Sequence, residues 1–198
     1  MLAFVTKQAV FNQTDILKTK TVMKTIKRFA SVLCLCICSL SVVSGQQNPK
    51  LTDAEVASVA VVANQIDIAY AEVAKERSKN ADVLKFAETM ISDHKAVLDQ
   101  AGALVKKLGV TPQDNEVSKK LLADAEKTKK DLRAKSEKDF NKAYIDNEVA
   151  YHKAVIAAVE GLLIPEAENA ELKALLQNVV PALRTHLGHA EMLQKTFK

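Results

Sequence analysis

From residue 53 onward, apolar and small residues recur every three or four positions, the spacing of one face of an α-helix. Thr52 with Glu55 makes a capping-box pattern and opens a predicted helix A over 53–78, whose inner face reads Val56, Val59, Ala60, Ala63, Asp67, Tyr70 and Ala74. Asn80 can cap a helix B whose stripe runs Val83, Phe86, Ala87, Met90, His94, Val97, Ala101, Leu104 and Leu108 before Gly109 and Pro112 stop it. Ser136, with Asp139 three residues on, opens helix C, with Phe140, Tyr144, Glu148, Tyr151, His152, Val155, Val159 and Leu162 on its stripe and Gly161 and Pro165 as its expected end. Helix D starts near Glu168 and carries Leu172, Leu175, Leu176, Val179, Leu183, His186, Leu187, Ala190 and Leu193. It also contains Pro181, which predicts a kink or an interruption.

No stretch of comparable length alternates with period two, so the fold class is all-α. The A–B link is only a few residues long and forces antiparallel neighbours. Between B and C lies a connection of about 26 residues, 110–135, Lys-rich and with a weaker stripe of Val117, Leu121, Ala125, Thr128 and Leu132, which predicts a short surface helix. A link of that length lets C run parallel to B. The expectation is a ferritin-like four-helix bundle with one long crossover carrying a short extra helix.

The front of the chain has a different grammar. Met23 opens a basic segment (Lys24, Lys27, Arg28), followed by an apolar run of 15 residues from Phe29 to Val43. That is short for a membrane span and typical of a secretory signal. Small residues at Val43–Gly45 place cleavage after Gly45. Residues 23–45 are therefore expected to be a signal peptide, residues 1–22 an over-extended N-terminus, and residues 46–198 the helical domain. All three cysteines (Cys34, Cys36, Cys38) fall in the apolar run, so the remaining 153 residues hold no disulfide and no thiolate ligand. Each follows Leu or Ile where a lipobox needs a small residue, which argues against lipidation. From Gln46 the chain carries 22 Lys plus Arg against 23 Asp plus Glu, a net charge of −1, and the overall +4 is no argument for nucleic acid.

Candidate chemistry is concentrated in four histidines. Counted along their helices at about 1.5 Å per residue, His94, His152 and His186 fall within roughly a turn of the same height as Asp67. Glu148 and His152, four apart, share a face. Imidazoles and carboxylates converging from bundled helices are what a metal site requires, and with no cysteine the donors are N and O, which suit zinc, iron or copper. The expected ligands are Asp67, His94, Glu148, His152 and His186. Asp93 and Tyr151 are expected behind them, with His189 as a weaker candidate at the edge of the stripe. Asp93 cannot point with its neighbour His94, and its natural role is to orient a ligand imidazole. Tyr70, Tyr144 and Tyr151 lie in the same band and can donate to the carboxylates. The competing reading is a polar layer in which these groups satisfy one another without metal and fix helix register. Met90 and Met192 stand at His/Met spacings that suit copper, although core packing explains them equally.

The residues three before the histidines are Ile91, Val149, Leu183 and His186, so the Glu-x-x-His step of di-iron carboxylate bundles is missing and a ferroxidase or oxidase is the less favoured reading. There is no Gly-rich phosphate loop, no cysteine nucleophile outside the apolar run and no Gly-x-Ser-x-Gly turn. No enzymatic activity is expected beyond that metal-dependent alternative.

Asn64-x-x-Asp67-Ile68, then Phe86-Ala87-x-x-Met90-Ile91-x-Asp93-His94, then Tyr144-Ile145-x-x-Glu148-x-x-x-His152, then Pro181-x-Leu183-x-x-His186-Leu187 appear in order. Together they resemble a bacterial family of exported ferritin-like proteins of unknown function (domain of unknown function 4142), usually described as predicted outer-membrane proteins. The resemblance spans about residues 51–196. It implies an exported ferritin-like bundle and supplies no activity. The family's usual acid in the first helix is Glu, where this chain has the shorter Asp67. No series of transmembrane strands is readable, so association with the outer membrane or with envelope proteins would be peripheral, from the periplasm. The alternative to a metal protein is a structural or stress-related interaction module whose Lys-rich segment, 119–138, meets a partner or anionic lipid.

Overall fold

The computed structural model of the chain describes residues 49–197; the expected N-terminal extension (1–22) and signal peptide (23–45) lie outside them. Among the described residues there are five long helices and no strand: α1 (Asp53–Arg77), α2 (Ala81–Leu108), α3 (Glu116–Arg133), α4 (Glu137–Ala158) and α6 (Ala170–Gln194). Between α4 and α6 come a π-helical turn (Val159–Leu163) and the three-residue α5 (Ile164–Glu166).

The starts follow from local hydrogen bonding. Thr52 and Glu55 form the reciprocal capping box, Asn80 accepts from the Asp82 and Val83 amides, and Ser136 accepts from the Asp139 amide. These side chains satisfy donors that a first helical turn leaves unpaired. Gly109 closes α2 in the left-handed conformation (φ 64°), which a residue with a Cβ adopts only under strain.

Hydrogen bonds at the two ends fix the direction of every helix. At one end Arg77 donates to the carbonyls of Arg133 and Lys135, and Lys79 pairs with Glu137. At the other the Gln113 amide reaches Ala54 O (3.0 Å), Asn115 donates to Glu55 O (3.2 Å), the Glu168 and Asn169 amides bind Asp53, and Lys107 pairs with Glu171. Helices α1, α3 and α6 therefore run one way and α2 and α4 the other. Helix α1 packs on α2, α3 and α4, and α6 packs on α4 and α2. The parallel course of α2 and α4 follows from α3 spanning the length between them.

Three expectations change. The extra helix is not short: α3 has 18 residues, with Ser118, Ala125 and Leu132 buried at a spacing of seven and a capping box formed by Asn115 and Ser118. Gly161 and Pro165 do not end the fourth element, because the chain stays helical through a wider turn to Glu166. Of the kink or interruption expected at Pro181, the interruption is absent, since α6 runs unbroken from Ala170 to Gln194. Pro181 sits on the exposed face, as does Gln177, the residue whose carbonyl it leaves without an amide.

The two halves of the bundle are packed differently. Toward the Arg77 end, Phe86, Met90, Phe140, Tyr144 and Ile145 are fully buried. Toward the Asp53 end the core is Val56, Val59, Ile156, Val159, Leu163, Leu172 and Leu176, and α2 contributes no buried residue beyond His94. Asn115 ties the crossover to α1 as well as capping α3, so Asn115→Ala is expected to cost about 1–2 kcal/mol, read as a lowered urea midpoint with an unchanged slope.

Candidate functional site

The site lies where the two halves meet. Asp67 (α1), His94 (α2), Glu148 and His152 (α4) and His186 (α6) are all buried, Asp67 to 1% and Glu148 to 0% relative exposure. They form two overlapping groups, each with one ligating atom per residue within 4.8 Å of the others: His94, His152 and His186, and Asp67, Glu148 and His152. The His94, His152 and His186 rings stand 5.3–6.0 Å apart, centroid to centroid, and none is coplanar with another.

Each of these imidazoles is held from outside by one nitrogen. His94 Nδ1 lies 2.7 Å from Asn64 Oδ1, and the Asn64 amide nitrogen donates to Ala60 O, which turns the oxygen toward the ring. His152 Nδ1 lies 3.0 Å from the backbone carbonyl of Glu148, and His186 Nε2 lies 2.9 Å from Asp93 Oδ2. All three partners are acceptors, so the outer nitrogens carry the protons and the inner ones, His94 Nε2, His152 Nε2 and His186 Nδ1, present lone pairs. Those three inner atoms are buried and have no hydrogen-bond partner. Fixing the outer nitrogen in this way is how proteins set the tautomer and angle of a metal-binding histidine.

Asp67 completes the arrangement. Both its carboxylate oxygens are buried without a hydrogen bond, and Oδ2 is 3.4 Å from His94 Nε2 and 3.5 Å from His152 Nε2. Donors bound tetrahedrally at about 2.0–2.1 Å stand roughly 3.3–3.4 Å from one another, a spacing close to these two separations. Glu148 sits on the other side of His152, its Oε2 3.7 Å from Nδ1, and both its oxygens also lack a hydrogen bond.

Burial dominates the electrostatics. Desolvation raises the Asp67 carboxyl to about 8 and pushes Glu148 well above the usual carboxyl range, the Asp67 charge adding to the shift of Glu148 and the Asn147 amide opposing it. Desolvation also lowers His94 to about 3, helped by the charges of His186 and His152, and His152 to about 4 against the pull of the Glu148 carbonyl. His94 and His152 are thus neutral at pH 7, while burial keeps the Asp67 and Glu148 carboxyls largely protonated, and a nearby cation would favour their ionised forms.

The remaining candidates fall elsewhere. His189 turns away from the cluster and packs edge-on against Phe86 (5.1 Å), so it does not share a point with His186. Tyr151 donates to Ala63 O at 2.8 Å, Thr128 lies beside the Tyr70 hydroxyl, and the buried Tyr144 hydroxyl has no hydrogen bond, so none of the three serves Asp67 or Glu148 as expected. Met90 is core, and Met192 is 60% exposed. Asn64 was not singled out by its chemistry, although its place three residues before Asp67 on the apolar stripe of α1 marks it. On α3, Lys119, Lys120 and Lys129 pair with Glu116, Asp124 and Glu126, which neutralises much of the basic segment.

Beside the cluster opens a cavity of about 520 Å³, bordered by α1, α2, α4 and α6 in the Asp53 half, with His94, His152, His186 and Asp67 among its lining residues. Compared with known proteins, residues 40–193 match a family described as a domain of unknown function (DUF4142). No curated protein and no solved structure matches the chain.

Proposed function

This chain, which belongs to the DUF4142 family, is, we propose, an exported ferritin-like bundle of the bacterial envelope that binds a first-row metal ion at its centre. One observation carries the reading. Three buried imidazoles, each pinned by its outer nitrogen, aim unpartnered lone pairs at one region beside an unpartnered carboxylate. A self-satisfied polar layer would have paired those atoms, since buried polar groups left unpaired cost about 1–3 kcal/mol each. Asp67, His94, His152 and His186 are the proposed ligands, with Asn64 and Asp93 orienting them. Glu148 is near enough to Asp67 and His152 to take a second ion or to serve as a proton reservoir.

The donor set suits zinc, copper or iron, and metal supply decides among them more than affinity does. Two carboxylates and no Glu-x-x-His step make a di-iron oxidase the less favoured chemistry. The closed contact cycle α1–α2–α6–α4, with α3 as the crossover, supports the ferritin-like reading. The signal-like segment at 23–45 supports export to the periplasm, with any outer-membrane association peripheral.

The test is elemental analysis of the exported chain purified without chelator, beside His94→Ala/His152→Ala. The expected result is near-stoichiometric metal in the wild type and less than a tenth of that in the variant. A folded wild type that carries no metal and ignores added zinc, copper and iron overturns the proposal.

A further inference from the structure

The cavity beside the cluster has a shape and a polarity of its own. Its lining runs along α1 from Ala57 to Tyr70, about 20 Å at the helical rise, and along α6 from Leu172 to His186. Of the large buried aromatic side chains of the other half, Tyr70 reaches its edge, whereas Phe86, Phe140 and Tyr144 do not line it. Alanines stand where the helices would otherwise fill the space: Ala60 and Ala63 on α1, Ala101 on α2 and Ala158 on α4. Helix α2 explains the rest. Its apolar stripe continues through Val97, Ala101 and Leu104, yet these residues stay only partly buried: all three border the cavity, and Leu104 touches the core of this half from its edge. The space is elongated and mostly apolar, with its buried polar groups gathered at the histidine cluster and Gln100, Asp124 and Thr128 elsewhere on its border, and 520 Å³ lies within the range of small-molecule sites.

We infer that this cavity binds a single-chain aliphatic carboxylic acid, its chain lying between the α1 and α6 stripes and its carboxyl group turned to the histidine cluster. The chain half of the inference rests on the cavity alone. The head-group half rests on the metal reading above, since the cavity ends at Asp67, His94, His152 and His186, and a carboxylate there would face the Asp67 carboxyl with a cation between them. An acid matches both ends: the chain removes from water the apolar surface that α2 leaves open, and the carboxylate supplies an oxygen donor as the ion's coordination expands from four to five.

Dodecanoate is the probe, titrated calorimetrically into the full chain loaded with zinc, with zinc measured in the same samples. Wild type is expected to bind one dodecanoate per chain. Ala101→Phe, and independently Ala60→Leu, should keep one zinc and an unchanged melting temperature or a higher one, and weaken dodecanoate at least tenfold by filling the space. Removing zinc with a chelator should also weaken it at least tenfold. Zinc retained with no dodecanoate bound overturns the inference and leaves the metal reading standing. Dodecanoate held equally well by both filled variants overturns the cavity as its site. Failure to bind zinc at all overturns the metal reading and takes the head-group assignment with it.

Discussion

Raising the pH of the metal-free protein from 6.5 to 8 lowers its stability by roughly 2 kcal/mol for each of the two buried carboxyls that stays protonated in the fold, at 1.36 kcal/mol per proton per pH unit. The sign follows from comparing native and unfolded pKa values. Asp67 is raised to about 8 and Glu148 well above its usual range, whereas both lose their protons near pH 4 once unfolded. Over that interval the native state holds more protons, so stability present at low pH is lost as pH rises through the native pKa. The histidines act oppositely and lower down. His94 and His152 sit at about 3 and 4 in the fold against about 6.5 unfolded, so their cost is felt only below pH 6.5 and leaves the higher window to the carboxyls. Denaturant midpoints across pH 6–9 give the measurement. Asp67→Asn/Glu148→Gln should flatten the curve, and so should saturating metal, because a bound cation keeps the carboxyls ionised in the native state. A wild-type, metal-free curve that is flat between pH 6.5 and 8 would show that both groups are already ionised and have partners that the structure does not place there.

Phe86→Ala is expected to cost about 3–5 kcal/mol and Leu104→Ala less than about 1.5 kcal/mol, although both residues lie on the apolar stripe of α2. Phe86 is fully buried against Tyr144 (ring centroids 6.3 Å apart), and its removal leaves a void that rigid neighbours cannot fill. Leu104 borders the cavity and is already partly exposed, so its methyl groups surrender less. Urea denaturation of the two variants decides the point. Equal costs would mean that the two halves of the bundle are packed alike in solution, against the asymmetry described above.

Much of this architecture was legible because its signals are local. Thr52 with Glu55, Asn80 and Ser136 each announce a helix start by chemistry confined to one turn, and Gly109 announces an end. The shared height of Asp67, His94, His152 and His186 followed from counting residues along helices. Features that depend on what a residue faces were not legible. Gly161 and Pro165 carry the same composition whether the chain stops or passes through a wider turn, and Pro181 breaks a helix only where the carbonyl it orphans has no water to meet. The length of α3 was hidden by its lysines, although Ser118, Ala125 and Leu132 repeat every seven residues. The split of the ligand candidates into two groups depends on which side of the His152 ring Glu148 occupies, and no spacing encodes that. The cavity was hidden for a related reason: alanine on a stripe reads as core whether a neighbour closes on it or stands off.

The four proposed ligands come from four different helices, and the chain must complete α6 before the last of them exists. A chain without α6 therefore offers an ion three of the four, and the full set appears only when the bundle has closed. Capture is then a late event that reports complete assembly. On the proposed reading, an ion held by all four helices would tie them to one another, and its loss would loosen the bundle at its centre.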